Sequence, residues 1–215
     1  MFRDRVDAAK RLANIMLELK GKDIIVLAIP RGGVVIGYEI AKALKAELDV
    51  IIPRKIGAPL DPELAIGAIG EDGSLYLMEP LMNQLGVSKD YIDEEANRQL
   101  KEIKRRAIKY RGSREALELK DKIVILVDDG LATGATMKVA IMQVKKKEPK
   151  EVIVAIPVSP KDTLDEISRM VDKVYCLATP TPFFAIGQFY RNFEQVSDEE
   201  VIELLNKARE ESKLN

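Results

Sequence analysis

The chain of 215 residues has no histidine, no tryptophan, a single cysteine and only 5% aromatic residues. Each scarcity removes a class of function. Without histidine there is no imidazole general base, no Ser-His triad and no zinc site that depends on imidazole. The lone thiol, Cys176, has no partner for an internal disulfide. Its setting beside Val174, Tyr175 and Leu177 reads as a strand, so a buried core thiol is expected rather than a nucleophile. Net charge is only −1, so nothing draws the whole chain toward nucleic acid or an anionic membrane. No apolar run approaches the roughly 20 residues of a membrane span. The opening residues, Met1 to Arg5, are charged and lack the apolar core of a secretory signal, so no leader is expected and a cytoplasmic location is. A Gly-x-x-x-x-Gly-Lys-Ser/Thr loop is also missing, which speaks against a nucleotide-hydrolysing α/β domain.

What is present suits a globular fold. The 47% hydrophobic content can fill a core, and the length fits a single domain over 1–215. Helical and strand patterns alternate. Helices are predicted over 5–19, 34–44, 89–110, 133–147, 163–170 and 198–209. Strands are predicted over 23–29, 50–53, 122–127, 152–157 and 174–177. Residues 64–78 read as a hairpin, with the tight-turn pair Asp72 and Gly73 near its tip. Strands joined by helices imply an α/β fold: a mostly parallel twisted sheet with helices on both faces.

The richest segment runs from Val124 to Thr136 and reads VILVDDGLATGAT. Four apolar residues end on two acids, and a small turn with two hydroxyls leads into a helical pattern. A strand so buried brings Asp128 and Asp129 to its carboxyl end, where open α/β sheets bind ligands. Two carboxylates there can grip vicinal ribose hydroxyls or a hydrated Mg2+. Thr133, Gly134 and Thr136 then offer hydroxyls, free N–H groups and the positive end of a helix dipole to a phosphate. A plain acidic turn between strand and helix is the bland alternative.

A second anion cradle follows the first strand, where Pro30, Arg31, Gly32 and Gly33 precede a helix. Arg54 and Lys55 follow the second strand and also suit an anion, unless they form an ordinary basic loop. In the helix over 89–110, Ile92, Ala96, Ile103, Ala107 and Tyr110 make one apolar seam. Its basic end, Lys101 to Arg111, reads as the solvated face of a docking helix at a homodimer interface, or as a mobile end that carries Lys109 or Arg111 over a diphosphate. A nucleic-acid contact finds no interleaved aromatics to support it. Late in the chain, TPTPFFAIGQFY over 179–190 concentrates aromatics. Phe183 and Phe184 either stack a flat acceptor or pack under the terminal helix.

The Val124–Thr136 block resembles the phosphoribosyl diphosphate (PRPP) signature of the type I phosphoribosyltransferases. The resemblance implies that Asp128 and Asp129 hold the ribose, with Mg2+ mainly through water. It assigns the 5′-phosphate and its surrounds to Gly130, Leu131, Ala132, Thr133, Gly134, Ala135 and Thr136, and the diphosphate to Arg31, Gly32, Gly33 and Lys55. A non-proline cis peptide is expected at Arg31–Gly32. The segment at about 57–118 would be a flap with a helical insertion, and 179–196 a small hood. Gly130 departs from the larger residue usual in the family, and Ala132 stands where 6-oxopurine enzymes carry an acid. Arg54, Lys55 and the acidic block look closest to the adenine-type enzymes. The implied activity is Mg2+-dependent transfer of a 5-phosphoribosyl group from PRPP to a nitrogen of a nucleobase-like acceptor, with pyrophosphate released. Asp128, Asp129, Arg31 and Lys55 would carry it. A PRPP-sensing regulator on the same fold, without turnover, is the competing reading.

Overall fold

The computed structural model describes residues 1–213. In chain order the elements are α1 (Arg5–Asn14), β1 (Ile24–Ala28), α2 (Gly32–Leu44), β2 (Glu47–Val50), β3 (Arg54–Gly57), β4 (Ala65–Ile69), β5 (Leu75–Leu77), α3 (Glu79–Gln84), α4 (Lys89–Arg111), β6 (Ile123–Val127), α5 (Ala135–Lys145), β7 (Glu151–Val158), α6 (Lys161–Ser168), β8 (Lys173–Ala178) and α7 (Asp198–Lys213). Five strands form one sheet in the order β2-β1-β6-β7-β8, every pair parallel.

Strand periodicity explains how a run such as Ile123–Val127 is buried on both sides. Successive side chains point to opposite faces. Ile24, Val26, Ala28, Ile123, Ile125 and Val127 join the core shared with Leu12 of α1, Ile36 and Ile40 of α2, and Val201 and Leu205 of α7. Their alternates Ile25, Leu27, Val124 and Leu126 join Met137, Ile141 and Val144 of α5 and Ile167 of α6. Helices therefore cover both faces, and all carboxyl ends of the parallel strands open on one edge.

Several boundaries differ from the sequence reading. The first helix stops at Asn14, and a short 3₁₀ turn occupies Leu17–Leu19. The second strand lies earlier, at Glu47–Val50. Ile51 N still donates to Ala28 O at 3.0 Å, but Ile52 N turns away to Glu71 Oε1 at 3.0 Å, so pairing with β1 ends before Pro53. Arg54 and Lys55, placed by the sequence after the second strand with an ordinary basic loop as the alternative, lie in strand β3, antiparallel to β4, which makes the predicted hairpin one part of a three-stranded sheet β3-β4-β5.

The hairpin tip is docked rather than free. Glu71 N donates to Gln143 Oε1 at 3.2 Å, and Lys146 Nζ donates to Ser74 Oγ at 2.6 Å. The connection between β3 and β4 is the more open part of this unit, with Leu60 fully exposed. The long helix α4 starts at Ser88, whose Oγ accepts from Tyr91 N at 3.1 Å, and ends at Gly112 with a positive φ of 65°. Of its predicted seam, Ile92, Ala96, Ile103 and Tyr110 are buried and Ala107 is partly buried against the same core.

Candidate active site

Strand β6 delivers Asp128 and Asp129 to the carboxyl edge, and β1 delivers Pro30 to Gly33 beside them. Ile29 N donates to Val127 O at 3.0 Å, so the two strand ends stay paired to the point where both loops begin. The contact between the loops needs glycine. A Cβ at Gly32 would collide with Asp129 Oδ2, and one at Gly33 would lie 3.1 Å from Asp128 Cα and Oδ1. Helix α2 therefore points its first turn at the acid pair because Gly32 and Gly33 carry no side chain. The non-proline cis peptide is Pro30–Arg31, one bond earlier than expected. Arg31 is already the N-cap of α2 with helical dihedrals, so the peptide after it belongs to the first turn.

The two acids occupy different electrostatic settings. Asp129 is 8% exposed and accepts from Arg5 Nε at 2.8 Å through Oδ2. Asp128 accepts the backbone N–H of Asp129 at 2.8 Å through Oδ1. Burial, and next the Asp129 carboxylate, push the Asp128 carboxyl well above the ordinary range. Tyr190 closes the group, its hydroxyl donating to the Asp129 carbonyl at 2.6 Å. Burial, and then Asp129, raise that phenol.

The following turn leaves backbone N–H groups open at the start of α5. Leu131 N donates to Val158 O at 3.0 Å, and Thr163 Oγ1 donates to Ala132 O at 2.8 Å, which pins the turn to β7 and α6. Gly134, the N-cap of α5, is left-handed at φ 75° and ψ 5°. The first hydrogen bond into the helix is Lys138 N to Gly134 O at 2.9 Å. The N–H groups of Thr136 and Met137 precede it and are therefore free for an anion, together with the exposed Thr133 hydroxyl. At Gly130 a Cβ would lie 2.7 Å from Ile186 Cγ2. The departure at that position makes room for the C-terminal segment.

The remaining predicted residues lie elsewhere. Lys55 faces Glu63, with Nζ to Oε2 at 2.8 Å, and lines a cleft of about 760 Å³ between β3 and α4, together with Arg54, Tyr91, Arg98 and Gln99. Arg54 donates to Gln99 Oε1 at 3.0 Å, and burial, then the nearby Arg106, lower its pKa. Arg111 is not at a mobile end. It is 8% exposed, ion-paired to Asp49 at 3.3 Å and Glu71 at 3.0 Å, and bonded to Val50 O. Burial works against its charge, but Glu71 and Asp49 outweigh it, so its pKa rises. Lys109 pairs with Asp198 at 2.8 Å and is likewise anchored. In this structure both side chains tie α4 to the body of the protein, and either would have to leave its acidic partners to sweep over a diphosphate.

Phe183 packs on Phe189, ring centres 4.8 Å apart, whereas Phe184 is 84% exposed. Cys176 is half-buried, its thiol donating to Ala178 O at 3.3 Å, and burial raises its pKa. Arg5 had no signal in the sequence: it lies on an amphipathic helix with no local motif, and its contact with Asp129 spans 124 residues.

A parallel sheet whose strand ends bring together an acid pair, a glycine loop and the open N-terminus of a helix makes an α/β domain with its candidate site on the carboxyl edge. The chain belongs to the phosphoribosyl transferase family: the model of the phosphoribosyl transferase domain matches residues 3–193. It is 44% identical over 208 residues to the Mycobacterium tuberculosis H37Rv protein named "Putative phosphoribosyl transferase Rv0571c", covering 97% of this chain and 47% of that protein. The CDC 1551 strain carries a relative with the same identity and coverage. The chain thus spans about half the length of the curated relatives it matches. Among solved structures, TT1426 from Thermus thermophilus superposes with a TM-score of 0.80 at 40% identity, covering 96% of this chain and 98% of that one.

Proposed function

We propose that this protein binds PRPP with Mg2+ and transfers its 5-phosphoribosyl group to a nitrogen of a nucleobase-like acceptor. The observation that carries the reading is the meeting of Gly32 and Gly33 with Asp128 and Asp129 beside the open N-terminus of α5. In this reading Thr133 to Thr136 hold the 5′-phosphate, Asp128 and Asp129 the ribose hydroxyls, and Arg31 with the first turn of α2 the diphosphate. Arg31 lies close enough to Tyr110 and Asp198 for its charge to act on both.

The bond from C1 to the pyrophosphate oxygen breaks, a C1–N bond forms, and the proton displaced from the acceptor nitrogen leaves to water or with pyrophosphate. Positive charge develops at C1, so the protein's task is placement and charge neutralisation, which needs no histidine. The donor set fits Mg2+ shared with a substrate. Among the described residues no cluster of three or more His, Cys, Asp or Glu could cage an ion, and Mg2+ commonly takes one or two carboxylates plus phosphate oxygens and water. Bound there, Mg2+ would neutralise the departing diphosphate. Asp128 and Asp129 are the residues that would hold it.

Lys55, tied to Glu63, would reach the diphosphate only by leaving that partner. Phe184, exposed on the C-terminal segment, is the better placed of the two phenylalanines to stack an acceptor. The non-catalytic PRPP sensor draws less support. The basic run that favours it is largely occupied, since Arg105 and Arg106 share Glu102 while Lys109 and Arg111 face Asp198, Asp49 and Glu71. Pyrophosphate release, followed with PRPP, Mg2+ and a panel of bases, tests the reading. Release that depends on one base supports transfer, and PRPP binding without release under any base would favour the sensor.

A further inference from the structure

Arg5 stands 124 residues from Asp129 in sequence, yet its guanidinium meets three parts of the site. Nε donates to Asp129 Oδ2 at 2.8 Å, and Nη1 donates to the Glu194 carbonyl at 2.7 Å. The guanidinium carbon lies 3.9 Å from the centre of the Phe193 ring. A Cβ at Gly32 would come within 2.7 Å of Arg5 Nε, so the same group also lies against the glycine loop. The side chains of Arg5 and Asp129 are each only 12% exposed. A planar fork can satisfy two acceptors and stack on a ring at once, and a lysine ammonium cannot.

The surroundings keep Arg5 in place. Phe2 N donates to Phe189 O at 2.8 Å, Arg191 N to Phe2 O at 2.9 Å and Asn192 N to Arg3 O at 2.9 Å. The rings of Phe2 and Tyr190 are 5.3 Å apart, and Tyr190 itself donates to the Asp129 carbonyl. The N-terminal segment and the C-terminal segment are thus stitched together, and both reach Asp129, one through Arg5 and one through Tyr190.

We propose that Arg5 is a positioning residue of the phosphoribosyl site: it holds Asp129 Oδ2 against the Gly32 loop, leaves Oδ1 to the ligand, and makes a competent acid pair depend on the docked N-terminal segment. The inference rests on the reading that the acid pair holds the ribose of PRPP. Groups that orient a metal- or ligand-binding side chain typically change affinity or activity by about ten- to hundredfold when removed.

The test uses the full chain and five forms of it: wild type, R5Q, R5K, D129N and R5Q/D129N. PRPP affinity with Mg2+ is read by calorimetry, and the melting temperature is read without ligand. R5Q should weaken PRPP binding by about ten- to hundredfold, and R5K, which keeps charge but not the fork, should fall between R5Q and wild type. If Arg5 acts through Asp129, the double variant binds PRPP no more weakly than D129N alone. R5Q that melts earlier but binds PRPP as wild type does would overturn the inference and leave the reading of the acid pair intact. Losses that multiply in the double variant would also overturn it, because Arg5 would then act independently. D129N that binds PRPP normally would instead remove the underlying reading. Should R5Q fail to fold, R5K against D129N carries the same comparison, and R5K with wild-type PRPP affinity would count against the inference.

Discussion

Asp129 donates its backbone N–H to the carboxylate of Asp128 at 2.8 Å, yet of the two acids only Asp129 has a paired cation among the described residues, the Arg5 guanidinium at 2.8 Å. Two adjacent carboxylates thus stand in opposite settings. Asp129 faces a cationic partner. Asp128, desolvated and beside a like charge, resists ionisation.

That asymmetry gives a signed pH prediction. Asp128 has a folded pKa above its unfolded value, so its contribution to stability is full below the unfolded pKa and is lost as pH rises through the folded one. Asp128→Asn should therefore raise the melting temperature of the ligand-free protein at pH 8. The gain should shrink toward zero as pH falls to the ordinary carboxylate range of about 4. Scans of both proteins across that range check it. A gain independent of pH would remove the electrostatic explanation.

Asp129→Asn should act in the other direction. Losing the charged acceptor of Arg5 should cost about 1–3 kcal/mol, or very roughly 2–12 °C at about 2–4 °C per kcal/mol for a chain this long. PRPP affinity should fall as well, by roughly thirty- to hundredfold. The buried ion pair with Arg5 is why a stability loss is expected beside the loss of affinity.

Gly32→Ala should damage binding through contact alone. Its methyl would collide with Asp129 Oδ2 and press on Arg5. Overpacking of this kind typically costs about 1–3 kcal/mol, and PRPP affinity should drop with it. An alanine variant with wild-type melting and wild-type PRPP affinity would mean that the glycine loop and the acid pair are not in contact.

Arg111→Ala tests the anchoring role of the α4 end. Breaking its buried pairing with Asp49 and Glu71 should cost about 3–5 kcal/mol, roughly 6–20 °C in melting temperature. A variant of unchanged stability but lost turnover would return Arg111 to the active site.

Much of the sheet could be read directly. Ile123 to Val127 is apolar without a break because both faces of β6 are covered, and that run ends on the acids and the Thr133–Thr136 turn. The edges were harder. Strand β3 carries Arg54 and Lys55, whose charge reads as loop, and it is specified by antiparallel pairing to β4 rather than by its own pattern. Arg111 looked like a solvated terminal cation, because nothing local announces that Asp49 and Glu71, 62 and 40 residues away, will neutralise it. Arg5 was invisible for the same reason: its chemistry comes from a contact across 124 residues.

On the proposed reading, PRPP lies across the acid pair with its 5′-phosphate at the start of α5. A crystal structure of the protein soaked with PRPP and Mg2+ should then show phosphate density on the backbone N–H groups and hydroxyls of Thr133 to Thr136, with the ribose hydroxyls at Asp128 and Asp129. PRPP bound elsewhere, for example in the cleft beside Arg54 and Lys55 with that turn empty, would contradict it.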